Sequence, residues 1–247
     1  ELMPNGSSIV INADAKEYIA IKRIAEERSL NCITYGFKAG DLRCISAVPG
    51  EDSWPIKLDV FGTDYELDFP LYGHFQLENA LCAAGLVIAC GEDPKIAIPS
   101  LAQLQSVPGR MEQAARLDNG ARIFIDYAHT PDALKTALKT LRQCVHCRLV
   151  VLFGCGGDRD KEKRPEMGKV AEELADAAII TDDNPRNESA AAIRQDILKA
   201  CGSAQEIGDR AAAIYAGVSM LNSQDALLIA GKGHEIGQIT KQKTLPL

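Results

Sequence analysis

No apolar run in these 247 residues approaches the roughly 18–20 that cross a membrane as a helix. The opening Glu1-Leu2-Met3-Pro4-Asn5-Gly6 also lacks a basic stretch followed by an apolar one. The expectation is a cytoplasmic chain with no membrane contact. Positive charge is in short supply too: Lys and Arg total 27 against 34 Asp and Glu, a net charge of -7. This argues against broad binding to nucleic-acid phosphates, so an anionic ligand must be held by a local cluster. The pair Cys144-Val-His-Cys147 has no second pair at zinc-site spacing, so it reads as a helix end, with no metal site expected. The eight cysteines are scattered through apolar and helical patterns and are expected as reduced thiols.

Two phosphate-binding signatures are missing as well. Gly154-x-Gly156-Gly157 lacks the third glycine of the dinucleotide fingerprint. No G-x-x-x-x-G-K-[ST] loop occurs, because Gly168-Lys169 precedes Val170 and Gly231-Lys232 precedes Gly233. If the protein uses ATP, its phosphate clamp is expected outside this chain.

What is present is an average globular composition, 46% hydrophobic and 25% charged, which argues against disorder, collagen and coiled coil. The length allows one large domain or two ordinary ones. Residues 7–14 read as a buried strand, 15–29 as a helix and 32–35 as a strand. Short alternating segments over 43–69, with turns at Pro49-Gly50 and Gly62-Thr63-Asp64, suggest antiparallel hairpins. An alanine-rich helix over 75–90 ends at Gly91, and 94–104 reads as another short helix. Ser106-Val107-Pro108-Gly109 is the linker candidate.

Beyond it come strand 123–125, helix 131–143, strand 149–153, helix 165–175, strand 178–181, helices near 189–200 and 210–221, and strand 226–230. Continuous Val, Ile and Leu strands between helices indicate a parallel sheet covered on both faces. Ligands of such sheets sit at the carboxyl ends of the strands. Each main strand here is followed by a polar loop: Asp126 to Pro131, Gly154 to Lys161, Asp182 to Arg186, and Gly231 to Glu235.

Arg159, Lys161, Lys163 and Arg164 beside the glycine-rich loop suit an anion, and equally a solvated helix start. Asp183-Asn184-Pro185-Arg186 offers a carboxylate for an ammonium and a planar fork for a carboxylate, or a helix cap. Asp126 and His129 precede a helix opened by Pro131. His129 can touch phosphate, act as acid or base, or simply pack. Glu235 can be a site acid or a surface acid on a turn.

Gly109-Arg110-Met111-Glu112, the run Asp126 to Leu134, the run Phe153 to Pro165, Asp183 to Arg186 and Gly231 to Glu235 together resemble the Mur ligases. The order and spacing of five motifs carry the resemblance, which spans nearly the whole chain. It implies an α/β fold: residues 1–106 as the later part of a central ATPase domain with a mixed sheet, and 107–247 as a Rossmann-like C-terminal domain with a mostly parallel sheet. It also implies a fragment lacking the N-terminal domain and the phosphate-loop part of the ATPase domain.

The implied reaction is ATP-driven amide formation through an acyl phosphate, with magnesium held by ligands outside this chain. Asn79, Arg110 and Asp126 match nucleotide contacts, and His129 a catalytic position near the phosphates. Arg159, Asp183, Asn184, Pro185, Arg186, Gly231 and Glu235 match the site of the incoming amino acid. Arg186 points to the diaminopimelate-adding members, since a guanidinium suits the distal carboxylate. The partners so implied are meso-diaminopimelate and UDP-N-acetylmuramoyl-L-alanyl-D-glutamate. The alternatives are another Mur or folylpolyglutamate-type ligase, and a non-catalytic module that binds a nucleotide or an amino acid.

Overall fold

The computed structural model describes residues 3–235, 237–240 and 243–246. It divides into two compact units, Glu1–Gln105 and Ser106–Leu247.

The first unit is built on a five-stranded mixed sheet in the order β1-β2-β3-β4-β5, comprising Ser8–Asn12, Asn31–Gly36, Leu42–Ala47, Trp54–Val60 and Thr63–Phe69. Helix α1 (Tyr18–Glu27) links β1 to its parallel partner β2. The strands β3 to β5 form the expected antiparallel hairpins. On β4 the alternate residues Trp54, Ile56, Leu58 and Val60 are buried, the period-two pattern of a sheet with one face in the core. Phe61 and Gly62 both take positive φ between β4 and β5, as a tight two-residue hairpin turn requires.

Helix α2 (His74–Ala89) packs against β1 and β2. A Cβ on its Gly85 would lie 2.8 Å from a Val10 methyl, so helix and strand approach closely there. It stops at Gly91, which takes the left-handed conformation while its N–H donates to the Ile88 carbonyl.

Two expectations for this unit need correction. The opening strand is half-buried rather than buried: β1 occupies a sheet edge, pairs only with β2 among the described residues, and of its residues only Ile11 is buried. The segment 94–104 is not one helix but an α-turn, α3 (Pro94–Ala97), followed by a 3₁₀ turn over Pro99–Gln103. Pro99 lacks the N–H that would continue the α-helical ladder.

The second unit has a six-stranded sheet in the order β10-β9-β8-β11-β7-β6. Its strands are β6 (Glu112–Arg116), β7 (Arg122–Asp126), β8 (Leu149–Phe153), β9 (Ala177–Ile180), β10 (Gln205–Glu206) and β11 (Ala226–Ala230). All pair in parallel except the edge strand β6. Strands β8 and β11 are buried along their whole length, matching their unbroken apolar sequences.

Helices α4 (Pro131–Cys144), α5 (Lys163–Leu174), α6 (Ala190–Leu198) and α7 (Arg210–Ser219) alternate with the strands. Thr130, Ser189 and Asp209 cap α4, α6 and α7 through side-chain oxygens. Helix α5 starts earlier than Pro165, because that proline falls in the first turn, where no N–H is needed. The hairpin β12 (Gly237–Thr240) and β13 (Lys243–Pro246) follows. The chain crosses this sheet in one direction from β6 to β10, and β11 is then inserted last between β7 and β8. Ligands of such sheets sit outside the carboxyl ends of the strands.

Candidate functional site

A cleft of about 360 Å³ opens at the carboxyl ends of the parallel strands, lined from all four strand-end loops. Seven of the expected site residues line it: His129, Arg159, Asp183, Asn184, Arg186, Gly231 and Glu235. Pro185 does not reach the cleft. It is buried behind the loop, and its carbonyl accepts from the Glu188 N–H at 3.0 Å.

Close backbone packing shapes the loop after β9. A Cβ on Gly157 would stand 2.0 Å from the Pro185 carbonyl oxygen, and one on Gly154 would stand 2.2 Å from that of Thr181. These glycines let the loops after β8 and β9 touch. The Gly157 N–H donates to the Asn184 carbonyl at 2.9 Å. In return, Nη1 of Arg186 donates to the Gly157 carbonyl at 2.9 Å. Its Nη2 and Nε have no partner among the described residues, so the guanidinium is anchored at one nitrogen and keeps donors for a ligand. Arg186 itself takes a positive φ of 51°, an uncommon conformation for a side chain of its size and one this packing must sustain.

The run of cations after the glycine-rich loop splits between two roles. Arg159 and Lys163 line the cleft, and Nζ of Lys163 donates to the His129 carbonyl at 2.9 Å. Arg164 turns inward, almost fully buried, and pairs with Glu188 at 2.9 Å and Asp196 at 3.1 Å. Lys161 pairs with Glu188 at 3.3 Å. The Arg164 hydrogen bond, then the Asp158 N–H, hold the Glu188 carboxyl down at about 2. Arg164 and Lys161 therefore brace the loops and do not seat an anion.

Sequence reasoning missed two buried cations. Lys232, 4% exposed, falls in the loop Gly231 to Glu235 but is given no role in the site by the sequence. Its Nζ donates to Asn184 Oδ1 at 2.7 Å and to the Gly237 carbonyl at 2.9 Å. Arg210, at the start of α7, donates to the carbonyls of Ala230 at 2.9 Å and Asp182 at 3.4 Å. Burial lowers its pKa, and the nearby Asp183 and Glu235 carboxylates oppose that shift. Nothing in local spacing marks either residue. Only the fold carries them under the loops.

The nucleotide candidates lie elsewhere. Asp126 ends β7 and accepts from the Met111 N–H at 2.7 Å and the Ala128 N–H at 2.8 Å, one bond per carboxylate oxygen. Burial pushes its pKa up, against those two N–H groups and Arg110. The Arg110 guanidinium stands 4.5 Å from the Tyr127 ring centre, within cation–π range, and the His234 ring stacks near that tyrosine at 5.7 Å. His129 is exposed, with Nδ1 3.0 Å from the Tyr127 carbonyl. A carbonyl only accepts, so Nδ1 is the donor in this contact and Nε2 is left for another partner. Asn79 lies in the first unit, on the exposed side of α2 one turn after Gln76. Cys144 ends α4 as a buried, reduced cysteine and Cys147 is exposed. Among the described residues no cluster of three His, Cys, Asp or Glu could hold a metal ion, and no helix is long and apolar enough to cross a membrane.

A mostly parallel sheet with a cleft of mixed charge at the carboxyl ends of its strands defines an α/β unit of the doubly wound kind. Residues 109–233 match the Mur ligase glutamate ligase domain and residues 1–87 the Mur ligase middle domain, and the chain belongs to the Mur ligase family. It is 49% identical to the UDP-N-acetylmuramoyl-L-alanyl-D-glutamate–2,6-diaminopimelate ligase of Bradyrhizobium diazoefficiens, across 100% of this chain and 51% of that protein. Identity to the ligase of the same name from Zymomonas mobilis is 44%, across 96% of this chain and 49% of that one. A solved structure under the same enzyme name superposes with a TM-score of 0.69 at 32% identity, covering 98% of this chain and 51% of that structure. The chain spans about half the length of the curated relatives it matches.

Proposed function

We propose that this chain supplies the amino-acid-receiving half of an ATP-dependent ligase of the cytoplasm, which joins meso-diaminopimelate to the D-glutamyl carboxylate of UDP-N-acetylmuramoyl-L-alanyl-D-glutamate. The observation that carries the reading is the pairing, in one cleft, of the partly free Arg186 guanidinium with the Asp183 and Glu235 carboxylates. Diaminopimelate has two amino-acid ends. A guanidinium fork suits a carboxylate of one end, and the acids suit an ammonium.

In the proposed reaction the D-glutamyl carboxylate attacks the γ-phosphorus of ATP, giving an acyl phosphate and ADP. The amine of diaminopimelate, having lost its proton, attacks the acyl carbon, and the tetrahedral intermediate expels phosphate as the amide forms. The chain's own residues fix the amine near its target, which lowers the entropic part of the barrier. Arg110 and Asp126 are the proposed nucleotide contacts of the second unit. His129 lines the cleft and is the proposed phosphate contact or proton acceptor, through Nε2. Magnesium would neutralise clustered phosphate oxygens. The described residues offer no cluster for it, and no step here depends on it.

The test is Arg186→Ala in the full-length enzyme. The expected result is a KM for diaminopimelate raised roughly 10- to 100-fold, with the KM for ATP changed less than about twofold and no rescue by Arg186→Lys. An unchanged diaminopimelate requirement would overturn the assignment.

A further inference from the structure

Lys232 belongs to the loop after β11 but is absent from the cleft lining. Its ammonium meets four acceptors: Asn184 Oδ1 at 2.7 Å, the Gly237 carbonyl at 2.9 Å, and Glu235 Oε2 and Asp183 Oδ1 at 3.4 Å each. Three of these belong to residues that line the cleft, so the lysine touches the site only from behind.

Two consequences follow from elementary chemistry. An ammonium faces oxygen and never an amide nitrogen, and the Ile239 N–H donates to the same Asn184 Oδ1 at 2.7 Å. The Asn184 amide therefore has one orientation, with Nδ2 aimed at Glu235 Oε2 at 3.1 Å. The buried ammonium also stands 3.4 Å from both the Asp183 and Glu235 carboxylates, where its charge offsets the repulsion of two like charges. Glu235 keeps its other oxygen without a partner among the described residues. Strand β12 adds to the same clamp, since the Arg186 N–H donates to the Ile239 carbonyl at 3.2 Å and Gln238 Nε2 to the Asp183 carbonyl.

We infer that Lys232 is a positioning residue for the amino-acid seat, fixing the Asn184 amide and the Asp183 and Glu235 carboxylates for the incoming ammonium without touching it. The inference rests on the reading of the cleft as that seat. It separates Lys232 from the lysines of phosphate loops, because the contacts of its ammonium among the described residues are all to the protein's own oxygens.

The experiment compares Lys232→Met, Lys232→Gln, Glu235→Gln and the Lys232→Met/Glu235→Gln double variant of the full-length enzyme, with Arg186→Ala alongside. Lys232→Met is expected to raise the KM for diaminopimelate roughly 10- to 100-fold, to leave kcat and the KM for ATP within about threefold, and to be strongly non-additive with Glu235→Gln. Lys232→Gln keeps amide donors and is expected to fall between wild type and Lys232→Met. An unchanged diaminopimelate KM in the lysine variants, with Arg186→Ala still impaired, would overturn the inference and leave the seat standing. An unchanged KM in Arg186→Ala would instead count against the seat itself. Additive effects, or loss of folding in both lysine variants, would make Lys232 a residue of the fold alone and overturn the inference.

Discussion

The Asn184 amide donates to the Glu235 carboxylate across 3.1 Å, joining two loops 51 residues apart in the chain. Asn184 follows β9 and Glu235 follows β11, and these strands flank β8 in the sheet. The bond therefore spans the end of β8, where the glycine-rich loop leaves the sheet without side chains at Gly154, Gly156 and Gly157. The cleft exists because small residues follow the middle strand and large charged ones follow its neighbours.

Gly157→Ala tests that arrangement. A Cβ at position 157 would lie 2.0 Å from the Pro185 carbonyl oxygen, so the loop after β9 must move. The expected cost is about 1–3 kcal/mol of stability, with a rise of roughly tenfold or more in the diaminopimelate KM of the full-length enzyme. Gly202→Ala is the control, since nothing lies within 4 Å of its added Cβ. Thermal unfolding and steady-state kinetics check both, and indistinguishable variants would refute the packing argument.

Glu188 predicts an acid-side pH dependence. Its carboxyl falls from an ordinary 4.5 to about 2, first through the Arg164 hydrogen bond. The folded state therefore holds this proton more weakly than the unfolded chain. The stabilisation is complete above about 4.5 and is lost as pH falls toward about 2. Unfolding midpoints across that window should fall less steeply for Glu188→Gln than for the wild-type chain. Parallel curves would show that the pairing contributes nothing.

Asp126→Ala should loosen the segment before β6. The carboxylate satisfies the N–H groups of Met111 and Ala128, and Met111 takes a positive φ of 48° that such anchoring sustains. Losing both bonds is expected to cost about 2–4 kcal/mol in urea unfolding. Asp126→Asn keeps one acceptor oxygen and should lose less. Equal losses in the two variants would show that only one bond matters.

The main elements were legible because their signals are local. The apolar runs of β8 and β11, and the Thr130-Pro131 start and Gly91 stop of two helices, can each be read within a few residues. The strands β6, β10, β12 and β13 were not recognised. Glu112-Gln-Ala-Ala-Arg carries no β-branched or aromatic residue, and Gln205-Glu206 is only two residues long; both exist because a neighbouring edge offers hydrogen bonds. Among the cations after the glycine-rich loop, sequence could not separate Arg159 and Lys163 from Arg164, because the helical turn that points one inward is a matter of packing.

By itself the sequence determined the alternation of strands and helices, the polar loops at the strand ends and the family resemblance, all of which depend on residue order over short spans. Only the tertiary structure decided which charges face a ligand and which are consumed within the protein. Arg186 keeps free donors while Arg164, Lys232 and Arg210 are spent on internal acceptors, since burial and partner geometry arise from residues brought together across the sheet.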